Sequence, residues 1–166
     1  MKTIFLVDGD NNIGTGLKGI DMLSEQDAVL VFYQKTGLIL SRLQKLCADT
    51  KAEVQYIESV RGGKNSIDFQ IITELGVLVG KGEADYAYVI SQDKGYEASI
   101  DALRARYGTA FREVALRPSI EDCLCLPFVR RAADRGQLCN ALVKEYGAIQ
   151  GNALYNHLKE IFQGPE

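Results

Sequence analysis

The 166-residue sequence has a single histidine, His157, and four cysteines, Cys47, Cys123, Cys125 and Cys139. That leaves little for a zinc centre: Cys123-x-Cys125 is not a zinc-knuckle spacing, and one His cannot supply the remaining ligands. The opening MKTIFLVDGD reaches two acids within ten residues and lacks the long apolar region and small-residue cleavage site of a signal peptide. The cysteines therefore read as free thiols of a reducing, cytoplasmic compartment, used as small apolar core residues. No apolar run approaches the roughly 18–20 residues of a membrane span, so no membrane association is expected. Positive charge is not in excess either: 19 Lys and Arg face 22 Asp and Glu, a net charge of -3. The chain is not a polycation that coats nucleic acid, and any such contact must come from a local basic patch or through a metal on an acidic one. Internal repeats and low-complexity tracts are absent. What remains is an ordinary globular composition, 46% hydrophobic and 25% charged, and a length that buries roughly two-thirds of the unfolded surface.

Short apolar runs alternate with helical periodicity. Thr3–Val7, Ala28–Tyr33, Ala52–Ile57, Tyr86–Ser91 and Ala110–Ala115 read as strands, the first a continuous apolar run of the kind buried in parallel sheets. Leu38–Cys47, Ile67–Val79 and Tyr96–Tyr107 repeat apolar residues at helical spacing, with a short helix near Ile20–Glu25. The alternation predicts βαβ units with right-handed crossovers: a three-layer α/β/α sandwich around a mainly parallel sheet. After Pro118 strands stop. Ile120–Ala133 and Gln137–Phe162 carry helical patterns only, which predicts an α/β domain over residues 1–117 and a helical C-terminal extension over 118–166 that packs on it or joins two copies.

Ligands of open α/β sheets bind beyond the carboxyl ends of the strands, so the acids there carry the information. The first strand runs into Asp8-Gly9-Asp10-Asn11-Asn12, the fourth into Ser91-Gln92-Asp93-Lys94-Gly95, and Asp68 opens the helix after Arg61-Gly62-Gly63-Lys64-Asn65-Ser66. Each acid has a structural explanation of its own: a turn at Asp8-Gly9, a helix-dipole partner at Asp68, a cap at Asp93. Together they repel one another unless a cation or a raised pKa offsets it. Oxygen ligands without His or Cys favour Mg²⁺ or Mn²⁺, and such ions polarise phosphates and activate water.

FLVDGDNN, KNSIDFQI and YVISQDKGYEASI, in that order over the first 117 residues, resemble the PIN-like/NYN nuclease superfamily. The resemblance implies an α/β/α fold and a metal-dependent, endonucleolytic ribonuclease acting on single-stranded RNA. It makes Asp8, Asp68 and Asp93 the catalytic metal ligands, with Asp10, a second first-strand acid, as a further metal ligand and Asn11 and Ser91 as supporting groups. One departure stands out: many relatives carry another Asp two residues after the position of Asp93, where this chain has Gly95.

Lys64, Lys94 and Arg61 lie next to these acids and are the candidate phosphate contacts. Arg104, Arg106, Arg112, Arg117, Arg130, Arg131 and Arg135 form a second basic group that guides a backbone if several share a face. Tyr33 and Tyr96 stand near strand ends, where they either stack on bases or pack in the core.

Three other readings compete. Gly14-x-Gly16-x-x-Gly19 matches the dinucleotide fingerprint as a string, but it does not directly follow the strand, leaves little room for a helix and has no acid after strand two. A flexible glycine loop at the rim of the site is the expected alternative. Asp8-x-Asp10 after an apolar strand resembles the first motif of haloacid-dehalogenase-like phosphatases, in which the first Asp attacks phosphorus and the second is general acid/base; Asn11 and Asn12 fit that motif poorly, and it gives the Asn65–Asp68 helix start no role. A PIN-like module that binds RNA or protein without cutting is the third.

Overall fold

The computed structural model describes residues 3–35, 39–83, 85–124, 132 and 134–160. The chain divides into two compact units, Met1–Cys123 and Leu124–Glu166. Five strands form the first unit's sheet: β1 (Thr3–Asp8), β2 (Ala28–Tyr33), β3 (Glu53–Glu58), β4 (Tyr86–Ile90) and β5 (Glu113–Arg117). Their order is β3-β2-β1-β4-β5 and every pairing is parallel. The helices are α1 (Ile13–Gly16), α2 (Ile39–Leu46), α3 (Ser66–Lys81) and α4 (Glu97–Tyr107). This is the expected α/β/α arrangement, with the strand order reversing between β1 and β4.

The central strands are apolar on both faces because helices cover both. Side chains alternate along a strand with period two. Ile4, Leu6, Ala28, Leu30, Phe32, Ala87, Val89 and Val114 therefore share one face, packed against Ile67, Ile71, Leu75 and Leu78 of α3 and Ile100 of α4. The same parity sets the last residue of β1, Asp8, on the α3/α4 side. On the opposite face a side chain at Gly16 of α1 would meet Ile90 and Val7, and Cys47, just after α2, bonds Tyr56, which is in register with Val31. Edge strand β3 leaves Glu53, Gln55 and Glu58 exposed, a polar edge that resists pairing with other chains.

Two local differences from the periodicity have physical causes. Strand five begins at Glu113 rather than Ala110, because Ala110 N–H bonds the Tyr107 carbonyl and Arg112 N–H bonds the Asp85 carbonyl. The Gly14–Gly19 string is not a loose rim loop: Gly14 and Gly16 lie in α1, and Gly19 (φ 90°) passes so close to the Glu121 backbone that a side chain there would crowd it. The short helix expected near Ile20–Glu25 is a single 3-10 turn, Ile20–Met22.

Gly9 closes the turn that aims Asp8. Its N–H bonds the Phe32 carbonyl at 2.8 Å, and an added Cβ would collide with that same oxygen. Gly9→Ala is expected to cost about 1–3 kcal/mol of stability by forcing β1 and β2 apart, measured as a lower denaturant midpoint with an unchanged slope.

The second unit contains the helical segment Arg135–Leu158, capped by Asp134, whose carboxylate accepts from Gln137 N–H, and broken at Gly147 (φ 79°). Its core is Ala132, Leu138 and Leu142, with Tyr155 and Leu158 against them. The helix expected over Ile120–Ala133 lies largely outside the described residues, as do Cys125, Arg130, Arg131, Ile161 and Phe162. Among the described residues no helix is long and apolar enough to cross a membrane.

Candidate active site

Asp8 stands where the strand order reverses, at the carboxyl end of β1, the position at which open α/β sheets form their binding crevice. It is 4% exposed. Its Oδ1 accepts from the Asp10 amide at 3.1 Å; its Oδ2 accepts from Ser91 Oγ at 3.0 Å and Tyr96 Oη at 3.2 Å. Burial holds its carboxyl above the usual carboxylate range, the three donors oppose this, and the nearby charge of Asp68 adds to it.

Tyr96 joins the acids. Its hydroxyl also bonds Asp68 Oδ1 at 2.9 Å, so one phenol spans a carboxylate on β1 and another in the first turn of α3. A phenol has one proton to give, which the two oxygens share or exchange. Burial, with the negative charge of Asp8 next, pushes Tyr96 well above the ordinary tyrosine pKa, so it remains a neutral donor. It adds no charge to an already anionic site.

Asp93 comes from the other side. It caps the 3-10 turn Lys94–Tyr96, its Oδ1 accepting from Gly95 N–H at 2.8 Å. Its own amide donates to Ser91 Oγ at 3.1 Å. Ser91 is thus a clip that ties Asp93 to Asp8 through one buried hydroxyl. Asn11 Oδ1 accepts from the Gln92 amide at 3.4 Å and steadies the same segment.

Asp68 and Asp93 line one open cleft of about 230 Å³, together with Asn65, Phe69, Ile72, Gly95, Tyr96 and Ser99. Asp8 and Asp10 are not part of its lining. Asp10 is exposed and its Oδ2 accepts from Gln34 Nε2 at 2.6 Å, at the end of β2. Lys64, Lys94 and Arg61 are exposed. Among the described residues none of the three has an acidic partner within 4.0 Å.

Sequence reasoning missed the part Tyr96 plays. At 2% exposure it does not stack on bases, nor does Tyr33 at 7%. Its only signal was its place a few residues after the strand that ends beside Asp8. The second basic group is partly spent: Arg104 bonds the Val114 carbonyl and Asp101, and Arg117 bonds Glu113.

The donor chemistry suits a hard divalent ion, since every polar group facing the cleft offers oxygen or amide and none offers sulfur or imidazole. Among the described residues no group of three or more His, Cys, Asp or Glu is placed to hold a metal ion.

A PIN-domain family model matches residues 2–113. The chain belongs to the PIN-domain family. PIN domains are commonly metal-dependent nucleases, and membership suggests a nuclease-like or RNA-related module. No curated protein matches the chain, and no solved structure does. The matched span covers Asp8, Asp10, Asp68 and Asp93.

Proposed function

We propose that this PIN domain is a ribonuclease that hydrolyses phosphodiester bonds of single-stranded RNA, endonucleolytically, with Mg²⁺ or Mn²⁺. The observation that carries this reading is the meeting of Asp68 and Asp93 in one cleft, with Asp8 tied to Asp68 by the Tyr96 hydroxyl. Asp8, Asp68 and Asp93 would hold the ion, with Asp10, Asn11 and Ser91 supporting them. When bound, the ion supplies Lewis-acid polarisation of the phosphate and an activated water. Tyr96, as a neutral donor, keeps the Asp8 and Asp68 carboxylates oriented without adding charge. Ser91 fixes Asp93 relative to Asp8. Lys64, Lys94 and Arg61 bear on the phosphates. Catalysis belongs to residues 1–117 in this reading. Residues 118–166 serve packing or self-association, and Ile149 at 89% exposure in the C-terminal helical segment leaves an apolar side chain for a second copy.

The phosphatase reading has less support. That reading needs Asp10 as acid/base beside Asp8, whereas Asp10 is turned to Gln34 and lies outside the cleft, and it gives the meeting of Asp68 and Asp93 no role. Thermal unfolding separates the cases. Mn²⁺ at 100 times its Kd is expected to add about 2.7 kcal/mol of stability, and Asp68→Asn to remove that gain while Asp10→Asn keeps most of it. A gain that depends on Asp8 and Asp10 but not Asp68 favours the phosphatase; no gain in the parent chain favours a non-catalytic binding module.

A further inference from the structure

The cleft that holds Asp68 and Asp93 has an apolar half that the metal chemistry leaves unused. Asn65, Asp68, Phe69 and Ile72 sit at spacings of three and four, so they form one face at the start of α3. Phe69 in that face is 70% exposed, while Ile67 and Ile71 on the core side are at 2% and 0%. Its ring is a cleft wall and contributes little to the core. Gly95, on the facing turn, adds no side chain; a Cβ there would stand 3.1 Å from Asp93 Oδ1. The missing side chain leaves the space beside the Asp93 carboxylate open.

Asn65 has a left-handed backbone (φ 62°) at the head of α3, where an Asn ordinarily caps the helix, yet its side chain makes no cap bond. The amide is free to meet a ligand, offering both a donor and an acceptor. Lys64 precedes it and Lys94 follows Asp93, both exposed and without an acidic partner among the described residues. An aromatic face and an uncommitted amide thus share the cleft with a pair of carboxylates, and an exposed lysine adjoins Asn65 and another adjoins Asp93 in sequence. An apolar ligand would not use the cations or the amide, and a simple phosphate would not use the ring. A nucleotide unit of a single strand uses all of them.

We propose that this cleft seats one nucleobase of single-stranded RNA, with Phe69 stacked on its face and the Asn65 amide at its edge. The proposal deepens the RNA-cleaving reading and rests on it for the identity of the strand. Stacking accepts any base because every base has a π-face; Asn65 supplies what preference there is.

The test is equilibrium binding of a fluorescently labelled single-stranded RNA oligomer in EDTA, where metal-dependent cleavage is silent. The parent chain is compared with Phe69→Ala, Phe69→Leu and Phe69→Tyr, and intact RNA with an abasic strand of the same backbone. Phe69→Ala and Phe69→Leu are expected to weaken binding by about 5- to 100-fold, and Phe69→Tyr by less than about twofold. The abasic strand is expected to bind the parent as weakly as intact RNA binds Phe69→Ala. Because Phe69 is largely exposed, circular dichroism and the unfolding midpoint stay unchanged. Equal affinity of parent and Phe69→Ala, or of parent and Phe69→Leu, or no RNA binding by the parent, overturns the proposal. A parent that binds through Phe69 yet never cleaves in Mn²⁺ refutes the nuclease reading and keeps the base seat; a parent that cleaves with Phe69→Ala binding unchanged refutes the base seat alone.

Discussion

Asp68→Asn and Asp93→Asn are each expected to lower Mn²⁺-dependent cleavage of single-stranded RNA by about 100-fold or more. The substitutions are nearly isosteric, so they remove charge and leave the local framework standing. In Asp68→Asn the amide oxygen still offers Tyr96 an acceptor in place of Asp68 Oδ1, and in Asp93→Asn it still accepts from the Gly95 N–H. The loss therefore reports the missing anionic ligand. Asp10→Asn is expected to cost about tenfold, the scale of an outer support, because Asp10 lies outside the cleft and is engaged by Gln34. Initial rates on a labelled RNA, with circular dichroism to verify the fold, measure all three. Equal losses at Asp10 and Asp68 would contradict the assignment.

Asp8 carries the second large effect, and it splits by substitution. Asp8→Ala strips a buried site of the acceptor for the Asp10 amide, Ser91 Oγ and Tyr96 Oη. Leaving such donors unpaired costs about 2–4 kcal/mol in total, which lowers the melting temperature by about 5–15 °C for a chain of this size. Asp8→Asn acts in the other direction in EDTA. Its amide keeps an acceptor for the Asp10 N–H and can donate to the two hydroxyls, and it carries no charge to desolvate. The sign follows from linkage. The folded pKa of Asp8 lies above its unfolded value of about 3.8, so the folded chain binds more protons between those two values. That contribution to stability falls as pH rises through the window, and the penalty is fully present at neutral pH. The stability of Asp8→Asn minus that of the parent is expected to grow as pH rises from about 3.8 and then to level off. Denaturant unfolding from about pH 3.5 to about pH 7.5 measures this difference, in which titrating groups distant from Asp8 cancel. A difference that shrinks with rising pH would contradict it.

Much of this architecture was legible because it follows from periodicity. The apolar runs at Thr3–Val7 and Ala28–Tyr33 read as buried parallel strands, and chain order put Asp8 and Asp93 at the carboxyl ends of the first and fourth strands. The convergence of Asp68 and Asp93 on one cleft follows from the same topology. The Tyr96 bridge was not legible. An apolar-looking tyrosine in a helical pattern gives no sign that its hydroxyl reaches two carboxylates 28 and 88 positions away. Helix α1 was hidden for a similar reason: Ile-Gly-Thr-Gly has low intrinsic helicity, and Gly16 is held by its fit against Val7 and Ile90. The displaced start of β5 reflects backbone bonds at Ala110 and Arg112, which side-chain pattern does not encode. Chemistry carried by single side chains across long sequence separations is what pattern reading loses.

The most direct measurement is cleavage of an end-labelled single-stranded RNA by the parent chain in Mn²⁺, alongside the same reaction in EDTA and with Asp93→Asn. The account predicts internal cuts in Mn²⁺ that disappear in both controls. An intact RNA after prolonged incubation in Mn²⁺, or cutting that persists in Asp93→Asn, would contradict a metal-dependent ribonuclease centred on this cleft.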